Sequence, residues 1–383
     1  MISPEAPYPL DGGGALRTAS LLEYVGRRYQ LDLIVFRHAG QEIRRYIPDG
    51  LCRNAATIEL TQHSKSFPAK VARNMSRLFR RVPPLVDRFS GYDAALARAT
   101  RGRKYSLAVL EHFWTCSYIP LVREMADKVV LDLHNVESAW HRSCADSAGF
   151  PQSTAHRLFA QAAETLEQQW LEEVDYVLTA SDEDADRVRR PRVSPVVYPN
   201  ALPWRDRPQV ETDFAIAFSG NLEYEPNRTG IAFFLRDVWP VLRQRFPTLV
   251  FRIIGKNPGA IASLVKPSTN VEVTGPVEDV FPHVSRVKVC VAPLLAGSGT
   301  RLKIIEAWAA AVPVVSTPLG AEGLGAVDGR ELLLASGAEG FAQKVANLLE
   351  EEELRQFVAK QGRELYERRF TWKKAWESIN TIF

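Results

Sequence analysis

The chain has 383 residues, 46% of them apolar and 24% charged, with a formal net charge of +3. That balance describes a soluble globular protein with enough apolar material for two cores of ordinary size. So small an excess of cations argues against a nucleic-acid binder, and no apolar run reaches the roughly 18–20 residues that cross a bilayer.

The four cysteines, Cys52, Cys116, Cys144 and Cys290, are far apart and show no C-x-x-C spacing. This fits reduced thiols better than a disulfide frame or a zinc site. The opening "MISPEAPYPLDGGG" lacks the basic-then-apolar order of a secretory signal. A cytoplasmic chain is expected, with a peripheral contact on the inner membrane face as an addition to it.

Taken in chain order, the first feature is a glycine-rich turn, "DGGGALR" at 11–17. Such a turn should follow a strand, yet only "MIS" precedes "PEAPYP", so either the first strand is very short or the chain begins late. Strands are then predicted at 31–36, 107–112, 128–133, 176–181 and 194–199, and after a gap at 214–220, 249–255, 271–275, 287–293 and 313–317. Helical patterns lie at 155–173, 228–245, 301–310 and 339–369. Strands alternating with helices imply parallel sheets covered on both faces, and right-handed crossovers make them doubly wound. The series is too long for one sheet. The proline- and charge-rich segment at 199–213 breaks it. Two Rossmann-like α/β domains facing across a cleft are therefore expected, at 1–203 and 204–369, with 370–383 packing back on the first.

One stretch at 70–82, "KVARNMSRLFRRV", places Lys70, Arg73, Arg77, Arg80 and Arg81 on one helical arc. Val71, Met75, Leu78, Phe79 and Val82 fall opposite. It reads either as an outer helix with its apolar face on the core or as a helix lying on an anionic membrane.

The chemistry concentrates near residue 300. The predicted strand 287–293 runs into "LLAGSGT" and then an apolar helix, "RLKIIEAWAAA". Ligands bind outside the carboxyl ends of strands in open α/β sheets. Thr300 suits an N-cap, free amides at a helix start attract phosphate, and Gly297 and Gly299, with Ser298 between them, let a ligand approach the backbone. Arg301 and Lys303 add positive charge. Lys303 and Glu306 are three apart and share a helix face. Glu306 is a carboxylate inside an apolar helix, where it is costly without partners. A ribose diol would supply them. The constellation therefore suits a nucleoside diphosphate, the alternative being an ordinary Lys–Glu pair at a helix start.

Here "SGTRLKIIEAWAAAVPVVSTPLGAEGL" (298–324) resembles the donor-site segment of GT-B glycosyltransferases of family four. The segment 218–255, the glycine-rich turn with its helix, and "VVYPNALP" (196–203) are similar to other parts of that family, so the resemblance covers most of the chain. It implies a GT-B fold and transfer of a sugar from a nucleotide donor, retaining and without an essential metal or other cofactor. The acceptor would be a glycan, a lipid-linked sugar or a small molecule in cell-surface polysaccharide or glycoconjugate synthesis. It assigns Glu306 to the donor ribose, Gly13 and Gly14 to a loop that approaches donor phosphates or acceptor, and His134 of "LDLHNVES" to the transferred sugar.

The chain also departs from the family. Ser298 stands where many members carry a second glutamate, and "GNLEYEPN" offers Asn221 where many carry an arginine and a lysine. Arg301 and Lys303 are expected to replace that charge, in a divergent subgroup. Trp308 and Ala311 replace the usual methionine and glycine. Glu322 reads as a donor-loop residue or as turn polarity, and Glu111 and His112 as a second strand-end candidate. The acidic "SDEDADRV" (181–188) reads as a capped helix start rather than a metal motif. "GKNPG" (255–259) lacks the Ser/Thr of a P-loop. The rival readings are a GT-B sugar-nucleotide epimerase and a nucleotide-sugar-binding protein without turnover.

Overall fold

The computed structural model describes residues 1–10, 12–38, 46–64, 66–147, 149–266, 269–297 and 301–383. The chain divides into two compact units, Met1–Pro199 with Trp376–Phe383, and Asn200–Ala375.

The first unit holds a seven-stranded sheet of β1 (Ile2–Ser3), β2 (Asp32–Arg37), β3 (Asn54–Glu59), β4 (Tyr105–Glu111), β5 (Ala126–Asp132), β6 (Tyr176–Thr179) and β7 (Val196–Val197). Its order is β3-β2-β1-β4-β5-β6-β7, with every pairing parallel. The second unit holds six parallel strands, β8 (Ala215–Ser219), β9 (Val250–Ile254), β10 (Val271–Gly275), β11 (Val289–Ala292), β12 (Val314–Ser316) and β13 (Leu333–Leu334). Their order is β10-β9-β8-β11-β12-β13. Each sheet is doubly wound, and each has a switch point beside its first strand: β1/β4 in one, β8/β11 in the other.

The first strand is very short. Two residues suffice because β1 is central: Ile2 sits opposite Ile34 on one side and Leu110 on the other. Two further strands escape the sequence pattern. In β3, "NAATIE", only Ile58 is buried, and β13 is two residues long; both are edge strands. The helix expected over 339–369 is two, Gly337–Glu350 and Glu352–Arg369, because the backbone leaves the helical region at Glu351.

The unit boundary lies at Pro199/Asn200 rather than 203/204, and the return to the first unit at Trp376 rather than 370. The reason is a local clasp. Leu202 N–H donates to Phe370 O and Trp372 N–H donates to Leu202 O, each at 2.9 Å, which keeps both segments in the second unit.

The apolar helix Leu302–Ala309 ends in a Schellman turn. Val312 N–H reaches Ala307 O and Ala311 N–H reaches Trp308 O, both at 2.9 Å. This puts Ala311 at φ 55°, in the left-handed region. Non-glycine residues lose roughly 1–2 kcal/mol there, of which the greater freedom of glycine in the unfolded chain offsets about half. Ala311→Gly is therefore expected to stabilise the second unit by about 0.5–1 kcal/mol, seen as a raised Tm; a lowered Tm would contradict it. Trp308 is fully buried and donates its indole N–H to Glu331 O at 2.9 Å. Room for it comes from Gly362, where a side chain would lie 2.3 Å from the indole.

Candidate active site

In the second unit, Ser219 closes β8 and its hydroxyl donates to Glu306 Oε2 at 3.2 Å. The chain then turns at Gly220, where a side chain would meet Lys303 Nζ at 3.2 Å. Gly255, at the end of β9, packs so tightly on this turn that a side chain would fall 1.8 Å from Gly220 O. Asn227, buried near the start of the next helix, Glu225–Phe233, donates to Asn221 O at 2.8 Å and accepts from Lys303 Nζ at 2.6 Å. Lys303 Nζ also lies 4.0 Å from the centre of the Phe218 ring. Arg301 is buried at the other end, with its guanidinium against Gly297.

Burial pushes the Lys303 ammonium down to about 7, Arg301 adding repulsion and Glu306 opposing both. Burial raises the Glu306 carboxyl, while the Ser219 hydroxyl and Lys303 hold it down. Glu306 is half-buried, and no described residue hydrogen-bonds its Oε1. The β8/β11 switch point thus presents a lysine, an arginine and a carboxylate with an open acceptor oxygen. A nucleoside diphosphate needs those groups.

The first unit has its own cluster at the β1/β4 switch point. β4 and β5 end on buried acids, Glu111 and Asp132. The helix Gly13–Gly26 sets Gly14, Arg17 and Thr18 on one face toward them. Arg17 grips Asp132 with two hydrogen bonds of 2.8 and 2.5 Å and donates to Tyr198 O at 2.5 Å. The Thr18 hydroxyl donates to Glu111 Oε2 at 3.0 Å, and His134 Nε2 lies 2.7 Å from the same oxygen. Behind them the His112 ring stacks 3.5 Å from that of His134 and 4.1 Å from that of Trp114.

Burial pushes Glu111 up to about 7 and His134 down to about 3. Above pH 7 a neutral His134 donates Nε2–H to the Glu111 carboxylate, which fixes its tautomer. Glu111, Asp132 and His134 bring three ligand-type atoms within 4.8 Å of one another. The set does not suit a metal ion, because Arg17 occupies both oxygens of Asp132 and its charge would repel a cation there.

The sequence candidates therefore fall into two groups. Gly297, Arg301, Lys303 and Glu306 meet in the second unit, and Gly13, Gly14, His134, Glu111 and His112 in the first. Ser298, Gly299 and Thr300, with Asp11 of the glycine-rich turn, lie outside the described residues. Asn221 is exposed, and its side chain accepts from Glu223 N–H and Asn257 Nδ2–H. It shapes the turn, and Asn227 holds the lysine. Glu322 is half-buried, just past a 3-10 turn (Leu319–Ala321) that follows β12. Ser181 caps its helix by accepting from Asp184 N–H at 3.1 Å.

Arg17, Thr18, Asp132 and Asn227 went unread in the sequence. The signal for the Arg17–Asp132 pair was present: each is a lone charge in an apolar run, "ALRTASLL" and "VVLDL". Buried charges need partners. Nothing in "YEPNRTG" marks Asn227.

Residues 213–351 match the sequence model of the family described as glycosyl transferases group 1. The chain carries a group 1 glycosyltransferase domain on a GT-B fold. The chain is similar to a Klebsiella pneumoniae protein described as an uncharacterized 44.6 kDa protein in cps region, 21% identical over 362 residues, which cover 91% of this chain and 89% of the other. Its fold is shared with sucrose-phosphate synthase from Thermosynechococcus elongatus, at TM-score 0.72 and 18% identity over 100% of this chain and 97% of that one. It is shared too with Anabaena HepE, solved with UDP and glucose, at TM-score 0.64 and 13% identity over 100% and 98%.

Proposed function

We propose that this chain transfers a sugar, with retention, from a nucleotide-sugar donor to a glycan, lipid-linked or small-molecule acceptor in cell-surface polysaccharide or glycoconjugate synthesis. The observation that carries the reading is the Ser219–Glu306–Lys303–Asn227 constellation at the β8/β11 switch point. Glu306 accepts the two ribose hydroxyls. Lys303 and Arg301 neutralise the diphosphate as the glycosidic bond breaks, without an essential metal. On the front-face route that the resemblance implies, an oxygen of the leaving phosphate takes the proton of the incoming hydroxyl. The new bond then forms on the face from which the phosphate departs, and no protein nucleophile is required. The Klebsiella pneumoniae relative from a cps region and the UDP complex of HepE support the pathway and the donor type.

The test is turnover. Purified chain is incubated with UDP-, GDP- and ADP-sugars, with and without lipid or glycan extract. Nucleoside diphosphate released only when an acceptor is present is the expected result. Isomerised nucleotide sugar without acceptor would make the chain an epimerase; tight binding with no turnover would make it a binding protein.

Among the described residues no helix is long and apolar enough to cross a membrane. We propose instead a cytoplasmic chain that touches an anionic membrane through the helix Phe67–Arg80. Most of its apolar row does not pack on the core: Phe67, Met75 and Phe79 are 78%, 66% and 91% exposed, whereas Val82, just past the helix, packs against it. The cationic arc is only partly available. Arg77 is buried, and it and Arg80 both bond Asp87; Arg81 ends the helix at φ 53°. Lys70 and Arg81 remain exposed. Replacing Phe67, Met75 and Phe79 together with serine is expected to abolish co-sedimentation with phosphatidylglycerol vesicles. Equal binding by both proteins would remove the proposal.

A further inference from the structure

We propose that Glu137 and His141, one turn apart on the helix Glu137–Ser147, form a binding site for a divalent transition-metal ion of the zinc type. The pair lies outside both clusters described above. It needs neither donor nor acceptor, so it stands apart from the glycosyltransferase reading.

The two residues are 4% and 2% exposed. Glu137 Oε1 and His141 Nε2 are both buried, and neither has a hydrogen-bond partner among the described residues. The two atoms are 3.7 Å apart. A shared proton needs a closer approach, about 2.7–3.2 Å. A metal ion holds its ligands further apart: nitrogen and oxygen atoms at about 2.0–2.2 Å from a tetrahedral zinc lie about 3.4 Å from each other. The observed spacing closes to that with a small adjustment of either side chain.

Each residue is already oriented through its other polar atom. Trp114 Nε1–H donates to Glu137 Oε2 at 3.0 Å. His141 Nδ1 lies 2.9 Å from His156 Nδ1, on the helix Gln152–Trp170. With the proton on His141 Nδ1, Nε2 keeps its lone pair beside a carboxylate oxygen. Outer partners of this kind fix metal ligands and leave the inner atoms for the ion.

The surrounding charge favours a cation. Burial pushes Glu137 up to about 7; the Trp114 hydrogen bond holds it down, and the neighbouring Glu167 carboxyl adds to the rise. A neighbour that opposes a second negative charge stabilises a positive one. The Glu111–Asp132–His134 set is the reverse case, because Arg17 occupies its carboxylate. One imidazole and one carboxylate suit zinc, cobalt, nickel or copper; magnesium and calcium take oxygen sets.

The test uses full-length, chelator-treated protein titrated with Zn2+ by calorimetry and with Co2+ by visible absorption. The expected result is saturable binding of one ion that is lost in Glu137→Gln and in His141→Phe. Glutamine keeps an acceptor for Trp114, and phenylalanine keeps a ring between the two helices. Both variants are compared with wild type by circular dichroism. Should either fail to fold, 15N-histidine spectra of the wild-type protein decide instead, with a shift of one histidine Nε2 expected on adding Zn2+ and its neighbour His156 retaining both ring nitrogens free of metal. Binding that survives both substitutions is adventitious and overturns the proposal. So does the absence of binding, which would leave His141 Nε2–H facing the carboxylate as a long, weak contact.

Discussion

Arg17→Leu is expected to destabilise the first domain by about 3–5 kcal/mol, the cost of breaking a buried ion pair by removing one partner. Asp132 is wholly buried and takes both of its strong hydrogen bonds from this guanidinium. Without it the carboxylate is left charged in a site with no water to solvate it. Tyr198 O loses its donor as well. The damaged protein has two ways to recover, and both give a sign to check. Removing the charge with Asp132→Asn in the same chain should restore part of the loss. Lowering the pH should narrow the gap from wild type, because Asp132 without Arg17 titrates above its unfolded value and folding then favours the protonated acid. Since the chain has two domains, hydrogen exchange of β4 and β5 amides measures the effect better than a single melting temperature. Unchanged protection in Arg17→Leu would show that the pair carries no net stability.

Lys303→Met is expected to lower kcat by about 100- to 1,000-fold, the usual effect of removing one preorganised donor from a developing oxyanion. Asn227 fixes the ammonium and Phe218 lies under it, so it needs little reorganisation when the diphosphate departs. The same lysine predicts a pH dependence. Its value is depressed to about 7 before ligand binds. A diphosphate raises it, so binding takes up a proton between the two values. Donor affinity is then full below about pH 7 and falls as pH rises through the range above it. In Lys303→Met that slope should vanish. Unchanged kcat together with an unchanged slope would remove Lys303 from the site.

The parts of this account differ in how openly the sequence displays them. Doubly wound sheets were legible because buried parallel strands read as continuous apolar runs, as in "LDLIVF" and "VKVCVAP". β3 and β13 were not, since a strand of two residues or one on an edge carries no pattern of its own; β1 was expected only from the glycine-rich turn that follows it, as one of two alternatives. Glu306 drew notice because a carboxylate in an apolar helix must be answered. The same rule applied to Arg17 and Asp132 would have paired them, but each needs the other's position, and 115 residues separate them. Asn227 shows the opposite limit. Its role arises only where Gly255 and Gly220 bring two strand ends together, and no local pattern encodes that meeting. The exposed row at Met75 and Phe79 was visible as amphipathicity; which side faced the core was a tertiary fact.

The central claim is that Glu306 and its neighbours grip a nucleotide sugar, and calorimetric titration of the donor identified by turnover, against wild type and Glu306→Ala, tests it most directly. The account predicts a loss of about 1–3 kcal/mol in binding free energy, as when a charge-assisted hydrogen bond to a ligand is removed. Equal affinity in a correctly folded variant would contradict it.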